Sequence, residues 1–359
     1  MSVGNGKSVD MTKKHTIFIT GGHVTPAIAV IEEIRKRKFP WQIIFVGRKN
    51  ALEGEKSVSA EYDVITGMGI SFLPLVAGRI SRVLTPFSFL SLLKIPFGFL
   101  QASWYVLSHR PKLIISFGGY VAVPVAMAAA FFSIPVVTHE QTLRLGLANR
   151  IIGLFAKKVF YSFVTGLPMR QELFHPPAKP TFVVANNKPI LYITGGSTGA
   201  VSLNERLAPL MKDLLDTWCI IHQLGQQSHR EALGDTYITA PYFSTSDVAW
   251  IYKHATLIIS RAGANTVWEL AVLGKIALLI PLPWSAENEQ LNNARWLADK
   301  GSAIVLEQKD ATSERLKEVL DGMVKQKSEL LAAAKTLQPD MPRDGAKRMV
   351  EEIATMVVG

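Results

Sequence analysis

The sequence predicts an α/β protein of two doubly wound halves, each a parallel sheet with helices on its faces. Three observations carry this. Apolar runs of strand length alternate with helix-length stretches all along the chain. Two glycine turns, Thr20–His23 and Thr194–Ala200, each follow a strand and open a helix. The chain has 359 residues, 48% of them hydrophobic, and single cores stop growing at about 250–300 residues.

In chain order, His15–Thr20 is the first strand, and Pro26 suits the first turn of the helix that follows. Gln42–Gly47 and Ile70–Leu75 are the next strands. Leu113–Thr138 carries no charge, but Gly118, Gly119, Pro124 and Pro135 divide it into strand, loop, helix Val121–Phe132 and strand. Val159–Phe163 is a further strand. Pro176, Pro177 and Pro180 in Phe174–Thr181 mark the domain boundary. The pattern then restarts with strand Ile190–Thr194, helix Leu203–Leu215 and strands Cys219–Leu224 and Tyr237–Ala240. Strand Thr256–Ser260 precedes a helix beginning at Thr266, and Ile276–Leu282 is the next strand. Glu314–Leu337 and Asp344–Met356 are helical. The parallel openings of the halves predict two Rossmann-like domains facing each other.

The net charge of +10 is uneven: residues 1–183 hold 21 Lys and Arg against 9 Asp and Glu. Nucleic acid or an anionic membrane would each account for it. No nucleic-acid motif appears, so a membrane surface or a phosphorylated ligand is preferred and no nucleic acid is expected. Cys219 is the only cysteine, which leaves no disulfide framework, and no histidine spacing points to a metal. Residues 1–14 are polar, with no apolar signal region, and read as a disordered lead-in. Leu84–Leu107 is aromatic-rich and apolar, with Arg79, Arg82, Lys94 and Arg110 about it. It suits lying on a membrane better than crossing one; a pair of core helices is the alternative.

Ser260–Asn293 holds the densest chemistry. Arg261-Ala262-Gly263-Ala264-Asn265 leaves a strand and opens a helix, so its amides suit a diphosphate. Glu269, one turn on, suits the two hydroxyls of a ribose. Glu287–Asn293 is a polar run at a strand's carboxyl end, where open α/β sheets bind ligands. An ordinary βαβ turn is the bland alternative. Gly195–Ala200 sits as a phosphate loop should, without the lysine that nucleotide hydrolysis would need. His23, after Gly21-Gly22, is placed to take a proton from a hydroxyl or to cap the next helix. His139-Glu140 reads as a paired base or, preferably, a buried hydrogen-bonded turn.

Together T-G-G-H-V-T-P-A-I-A-V, S-F-G-G-Y, H-E-Q-T-L-R-L-G-L-A-N-R, L-P-M-R, I-T-G-G-S-T-G-A, S-R-A-G-A-N-T-V-W-E-L and E-Q-L-N-N-A resemble the MurG family of glycosyltransferases, in the family's order, over about residues 15–308. The resemblance implies the GT-B fold, two Rossmann-like domains with parallel sheets facing across a cleft. Residues 15–178 would form an acceptor and membrane-associating domain, 179–341 a UDP-sugar domain, and 342–359 a helix returning to the first. It also implies inverting transfer of N-acetylglucosamine from its UDP-sugar to undecaprenyl-diphosphate-muramoyl-pentapeptide. The protein would be peripheral, on the cytoplasmic face of the membrane, and would need no metal or cofactor.

Carried over by motif, Gly22, Gly196, Ser197, Ala264, Asn265 and Thr266 would meet the donor and Glu269 its ribose. Arg170 would lie near the nucleotide, and Thr142, Glu289, Gln290 and Asn293 would meet the sugar. Gly21, Gly22, His23, Arg79, Gly118, Gly119 and Tyr120 would meet the acceptor, with His23 as the base. Three departures stand out. The first glycine loop is three residues short of the family's G-G-T-G-G-H, Thr142 replaces an asparagine, and Glu289, which accepts hydroxyl bonds without donating them, replaces a glutamine. A transferase for another lipid or natural-product acceptor, and a non-catalytic UDP-sugar-binding protein, are the alternatives.

Overall fold

The computed structural model describes residues 14–50, 58–78, 86–184, 188–196, 200–225 and 234–358. Residues 1–13 of the expected lead-in, Arg79, Arg82, Ser197 and the start of the Leu84–Leu107 segment lie outside them, as do the side chains of residues 86–95. The chain divides into two compact units, residues 1–170 with 344–359, and residues 171–343.

In the first unit β1 (His15–Thr20), β2 (Trp41–Gly47), β3 (Ser71–Pro74), β4 (Leu113–Ser116), β5 (Val136–Glu140) and β6 (Lys158–Tyr161) pair in the order β3-β2-β1-β4-β5-β6. Every pairing is parallel. Such strands are covered on both faces, so they read as continuous apolar runs. Ile17 and Ile19 face the helix Val24–Lys36 and the C-terminal helix Gly345–Val358. Phe18 and Ile114 face the helices Pro86–His109 and Ala122–Phe131. The C-terminal helix contributes Met349, Val350 and Ile353 to that core. Its entry requires glycine, because a Cβ on Gly345 would run into the carbonyl oxygens of Gly166 and Leu167.

In the second unit β7 (Ile190–Thr194), β8 (Cys219–Gln223), β9 (Tyr237–Ala240), β10 (Ala255–Ser260), β11 (Ala277–Leu279) and β12 (Ala303–Val305) pair in the order β12-β11-β10-β7-β8-β9. These pairings are parallel as well. Winding reverses direction between β1 and β4 in one sheet and between β7 and β10 in the other. Ligands of open α/β sheets bind at the carboxyl ends of such switch-point strands.

Several local expectations shift. The helix expected at Leu203–Leu215 is two helices, Val201–Leu207 and Met211–Thr217, joined by the 3-10 turn Ala208–Leu210; Pro209 has no N–H to continue the ladder. Glu314–Leu337 is likewise two helices, Ser313–Lys325 and Lys327–Leu337. The helix expected from Thr266 starts at Ala264, because extended Gly263 already serves as its N-cap. The strand expected to reach Leu282 ends at Leu279, and the Leu282 amide turns to the Gln290 side chain at 3.0 Å.

The unit boundary falls at Arg170–Gln171, ahead of the proline cluster. Beyond it, Thr181 is clamped to the second unit by Asp247, which accepts its N–H and its hydroxyl at 2.8 Å each. Ser244 donates to the same carboxylate at 2.7 Å. Burial alone would raise the Asp247 pKa, but these bonds hold it below the usual carboxylate value. A depressed folded-state pKa gives stability that is complete above the unfolded value and lost as pH falls through the folded one. Asp247→Ala should therefore lower the stability of the second unit by roughly 2–4 kcal/mol at neutral pH. Urea titrations should show the difference shrinking below about pH 4; an equal midpoint at neutral pH would remove the clamp.

Candidate functional site

At the first switch point two glycine turns meet backbone to backbone. The Gly22 N–H donates to the Gly118 carbonyl at 3.0 Å. A Cβ on Gly21 would sit 2.8 Å from the Phe117 nitrogen, and one on Gly119 would sit 2.9 Å from the Gly22 nitrogen. Gly21, Gly118 and Gly119 all have positive φ, at 143°, 70° and 79°, which suits glycine and few other residues. The expected group Gly21, Gly22, His23, Gly118, Gly119 and Tyr120 is thus brought to one sheet edge. The Arg48 guanidinium, from the end of β2, lies 5.4 Å from the Tyr120 ring centroid.

His23 has an extended backbone at the N-cap of Val24–Lys36, and its side chain makes no capping bond. Instead its Nδ1 lies 2.7 Å from Nε2 of Gln141, which follows β5. Desolvation lowers the His23 pKa and the Glu140 carboxylate opposes this; the residue is exposed, so water offsets part of the lowering. Behind it, buried His139 is pushed down to about 3, by desolvation first and by His23 second, and is neutral at physiological pH.

Buried Glu140 accepts four bonds: from the Thr142 N–H at 2.9 Å, the Thr142 hydroxyl at 2.7 Å, the Gly146 N–H at 2.9 Å and Asn149 Nδ2 at 3.0 Å. His139-Glu140 is therefore the buried hydrogen-bonded turn. The single Thr142 hydroxyl proton is shared between Glu140 and the Arg144 carbonyl, so the hydroxyl is committed within the loop. Arg170 is half-buried at the last position of this stretch of the first unit.

At the second switch point, Gly196 follows β7 with φ 76° and donates its N–H to Thr194 Oγ1 at 3.1 Å. A Cβ there would lie 3.9 Å from Thr266 Oγ1, so the glycine turn faces the first turn of the Ala264–Leu273 helix. Ala264, Asn265 and Thr266 form that turn. Glu269 follows on the same helix, and its Oε2 accepts the Tyr252 hydroxyl at 2.9 Å.

The third wall is the Glu289–Asp299 helix. Gln290 Oε1 accepts the N–H groups of Ala262 at 3.3 Å and Leu282 at 3.0 Å, and Asn293 Nδ2 donates to the Ala262 carbonyl at 3.3 Å. The two residues lock the Arg261–Gly263 loop to the loop after β11. Glu287 and Asn288, just before Glu289, hold left-handed backbone at φ 51° and 54°, a strained state that tends to gather at ligand sites. A pocket of about 320 Å³ opens beside these loops, lined by Gly195, Ser202, Arg261, Trp284 and Gln290 among others.

Sequence reasoning passed over three contributors. Gln141 stood inside the quoted H-E-Q and was open to discovery. Arg261 shows in the sequence as a cation directly after a buried strand, but its role does not. Tyr252 carried no signal, because only the fold brings it to Glu269.

The N-terminal domain of glycosyltransferase family 28 matches residues 20–161, and its C-terminal domain matches residues 190–349. The UDP-N-acetylglucosamine–N-acetylmuramyl-(pentapeptide) pyrophosphoryl-undecaprenol N-acetylglucosamine transferase of Desulforamulus reducens is 31% identical over 348 residues, 89% of this chain and 91% of that one. The Haemophilus ducreyi protein of the same name is 33% identical over 366 residues, 96% of this chain and 99% of its own. The crystal structure of Acinetobacter baumannii MurG superposes with a TM-score of 0.70 at 28% identity, covering 96% of this chain and all of that one. The calicheamicin glycosyltransferase, at 12% identity and a TM-score of 0.71 over 96% and 99% of the two chains, shares the fold alone. The fold is GT-B, and the chain belongs to the MurG family of family-28 glycosyltransferases.

Proposed function

We propose that the protein transfers N-acetylglucosamine from UDP-N-acetylglucosamine to undecaprenyl-diphosphate-muramoyl-pentapeptide, with inversion, at the cytoplasmic face of the membrane. The observation that carries this reading is similarity over most of the chain to transferases named for that reaction. The second unit holds the donor. The Gly196 turn, Ser197 and the start of the Ala264–Leu273 helix receive the diphosphate, because amides at a helix N-terminus favour anions. Glu269, held by Tyr252, accepts the two ribose hydroxyls. Gln290 and Glu289 meet the sugar, and Asn293 fixes the Arg261–Gly263 loop beside them.

The first unit holds the acceptor at its paired glycine turns and Tyr120, with Arg79 alongside. The acceptor hydroxyl oxygen bonds to the anomeric carbon as the bond to UDP breaks, and the hydroxyl proton passes to His23. For that, His23 needs an unprotonated Nε2. With the Gln141 carbonyl oxygen turned toward Nδ1, Nδ1–H donates to it and Nε2 is left free to take the proton. The leaving diphosphate meets dipoles already oriented toward it, so little reorganisation accompanies the step.

A membrane site on the first unit is supported by the helices Pro86–His109 and Ala122–Phe131. Leu100, Trp104 and Phe131 are 65%, 68% and 72% exposed there, an apolar patch of the kind that marks an interaction surface. Among the described residues no helix is long and apolar enough to cross a bilayer.

Three outcomes follow. Glu269→Ala should weaken UDP binding by roughly 10- to 100-fold, as loss of charge-assisted hydrogen bonds implies, and equal affinity in calorimetry would remove the ribose role. His23→Ala should slow turnover by about 100-fold or more at unchanged donor affinity. In the intact enzyme the acid limb of kcat/KM should lie below pH 6.5, because a lowered His23 pKa keeps the ring neutral to lower pH. A limb above that value, or near-normal turnover of the variant, would rule His23 out as base. Trp104→Glu with Leu100→Glu should abolish flotation with anionic liposomes; retained flotation would place the docking surface elsewhere.

A further inference from the structure

Arg261 has surroundings unusual for an arginine. It is 4% exposed, at the carboxyl end of β10 on the β7/β10 switch point. Its Nη1 donates to the Ile280 carbonyl at 2.9 Å, and its Nη2 donates to Ser202 Oγ at 2.8 Å and Gln308 Oε1 at 2.6 Å. All three acceptors are neutral. Its Nε is buried with no partner, and no carboxylate pairs with the guanidinium among the described residues. Desolvation, with help from nearby Arg206, lowers its pKa to about 10, which still leaves it cationic at neutral pH. Arg206 adds a second positive group, bonded to the Ala311 carbonyl at 3.2 Å. The one acidic side chain along the same pocket, Glu205, is exposed and therefore screened by water.

A buried cation bonded only to neutral groups is costly unless something anionic completes it. Here Arg261 is one of the residues lining a pocket of about 320 Å³, together with Gly195, Ala200 and Ser202, from the glycine turn and the helix start beyond it. We infer that Arg261 is a fixed positive charge whose field, with its terminal nitrogens anchored by Ser202, Gln308 and Ile280, stabilises the diphosphate of a nucleoside diphosphate in the second unit. This rests on the donor reading given above. It differs from that reading in placing part of the diphosphate's hold in a buried side chain rather than in loop amides. Arg261 acts as a positioning residue through its charge, and both Nη groups remain tied to the protein.

The charge can be cancelled in place. Gln308→Glu sets a carboxylate where the amide oxygen now meets Nη2. The measurement is the ratio of UDP to uridine affinity, by calorimetry, on the full chain. The wild type should prefer UDP. Gln308→Glu should lose about tenfold or more in UDP affinity while uridine binds as before, because a buried charge acts on the phosphates through a low effective dielectric. Arg261→Gln should give the same selective loss, and Arg261→Lys, which keeps the charge, should keep most of the ratio. An unchanged ratio in Gln308→Glu, a parallel fall of UDP and uridine affinity, or a collapsed ratio in Arg261→Lys would each overturn the inference. A wild type that binds neither ligand would instead overturn the donor reading itself, so the two failures are distinguishable.

Discussion

Backbone meets backbone where β1 and β4 end, and that contact arranges the rest of the first unit's site. The two strands are neighbours whose chains depart in opposite directions, the edge at which open α/β sheets take their ligands. The turns stay in contact only if neither carries a side chain there: a Cβ on Gly21 would meet the Phe117 backbone, and one on Gly119 the Gly22 backbone. Closing the turns on each other delivers His23 to the edge with an extended backbone. It also leaves the next strand, β5, close enough for Gln141 to reach the imidazole across a sequence separation of 118 residues. Ser116, Thr138 and Asn149 form a buried polar ladder underneath, with Thr138 donating to Asn149 at 2.6 Å. Fully satisfied networks of this kind rigidify what they support.

Each switch point buries a side chain held by neutral groups, and the two differ in sign and in what lies beside them. Glu140 in the first unit is surrounded by neutral donors from its own loop and by Asn149, which solvate the carboxylate and tie the loop down. Arg261 in the second unit has hydrogen bonds but no counter-charge among the described residues. The first arrangement is a structural brace. The second leaves a net field at the sheet edge, beside a pocket and next to a helix N-terminus whose dipole has the same sign. Field and dipole add, so the second unit favours an anion at that edge even though its loop carries no P-loop lysine.

The strands were readable because parallel strands are buried on both faces and leave unbroken apolar runs: β1 and β7 fall where periodicity places them. Helix limits were harder, since they depend on single backbone groups. Gly263 caps its helix through its extended backbone alone, and Leu282 leaves its strand because Gln290 captures its amide. The helix Ala60–Gly67 went unread, being short and capped by Ser59 after a stretch with no apolar period. Of the site, the glycine turns were legible because the backbone conformation they require excludes most other residues. Pairings such as Tyr252 with Glu269 were not, because neither partner's neighbours in sequence contain the other. The same reasoning separates the two kinds of site residue. A group whose role lies in its own backbone is visible from local spacing, whereas a group whose role is set by what surrounds it, as Arg261 is by three neutral acceptors from distant segments, becomes visible only once the fold has assembled those surroundings.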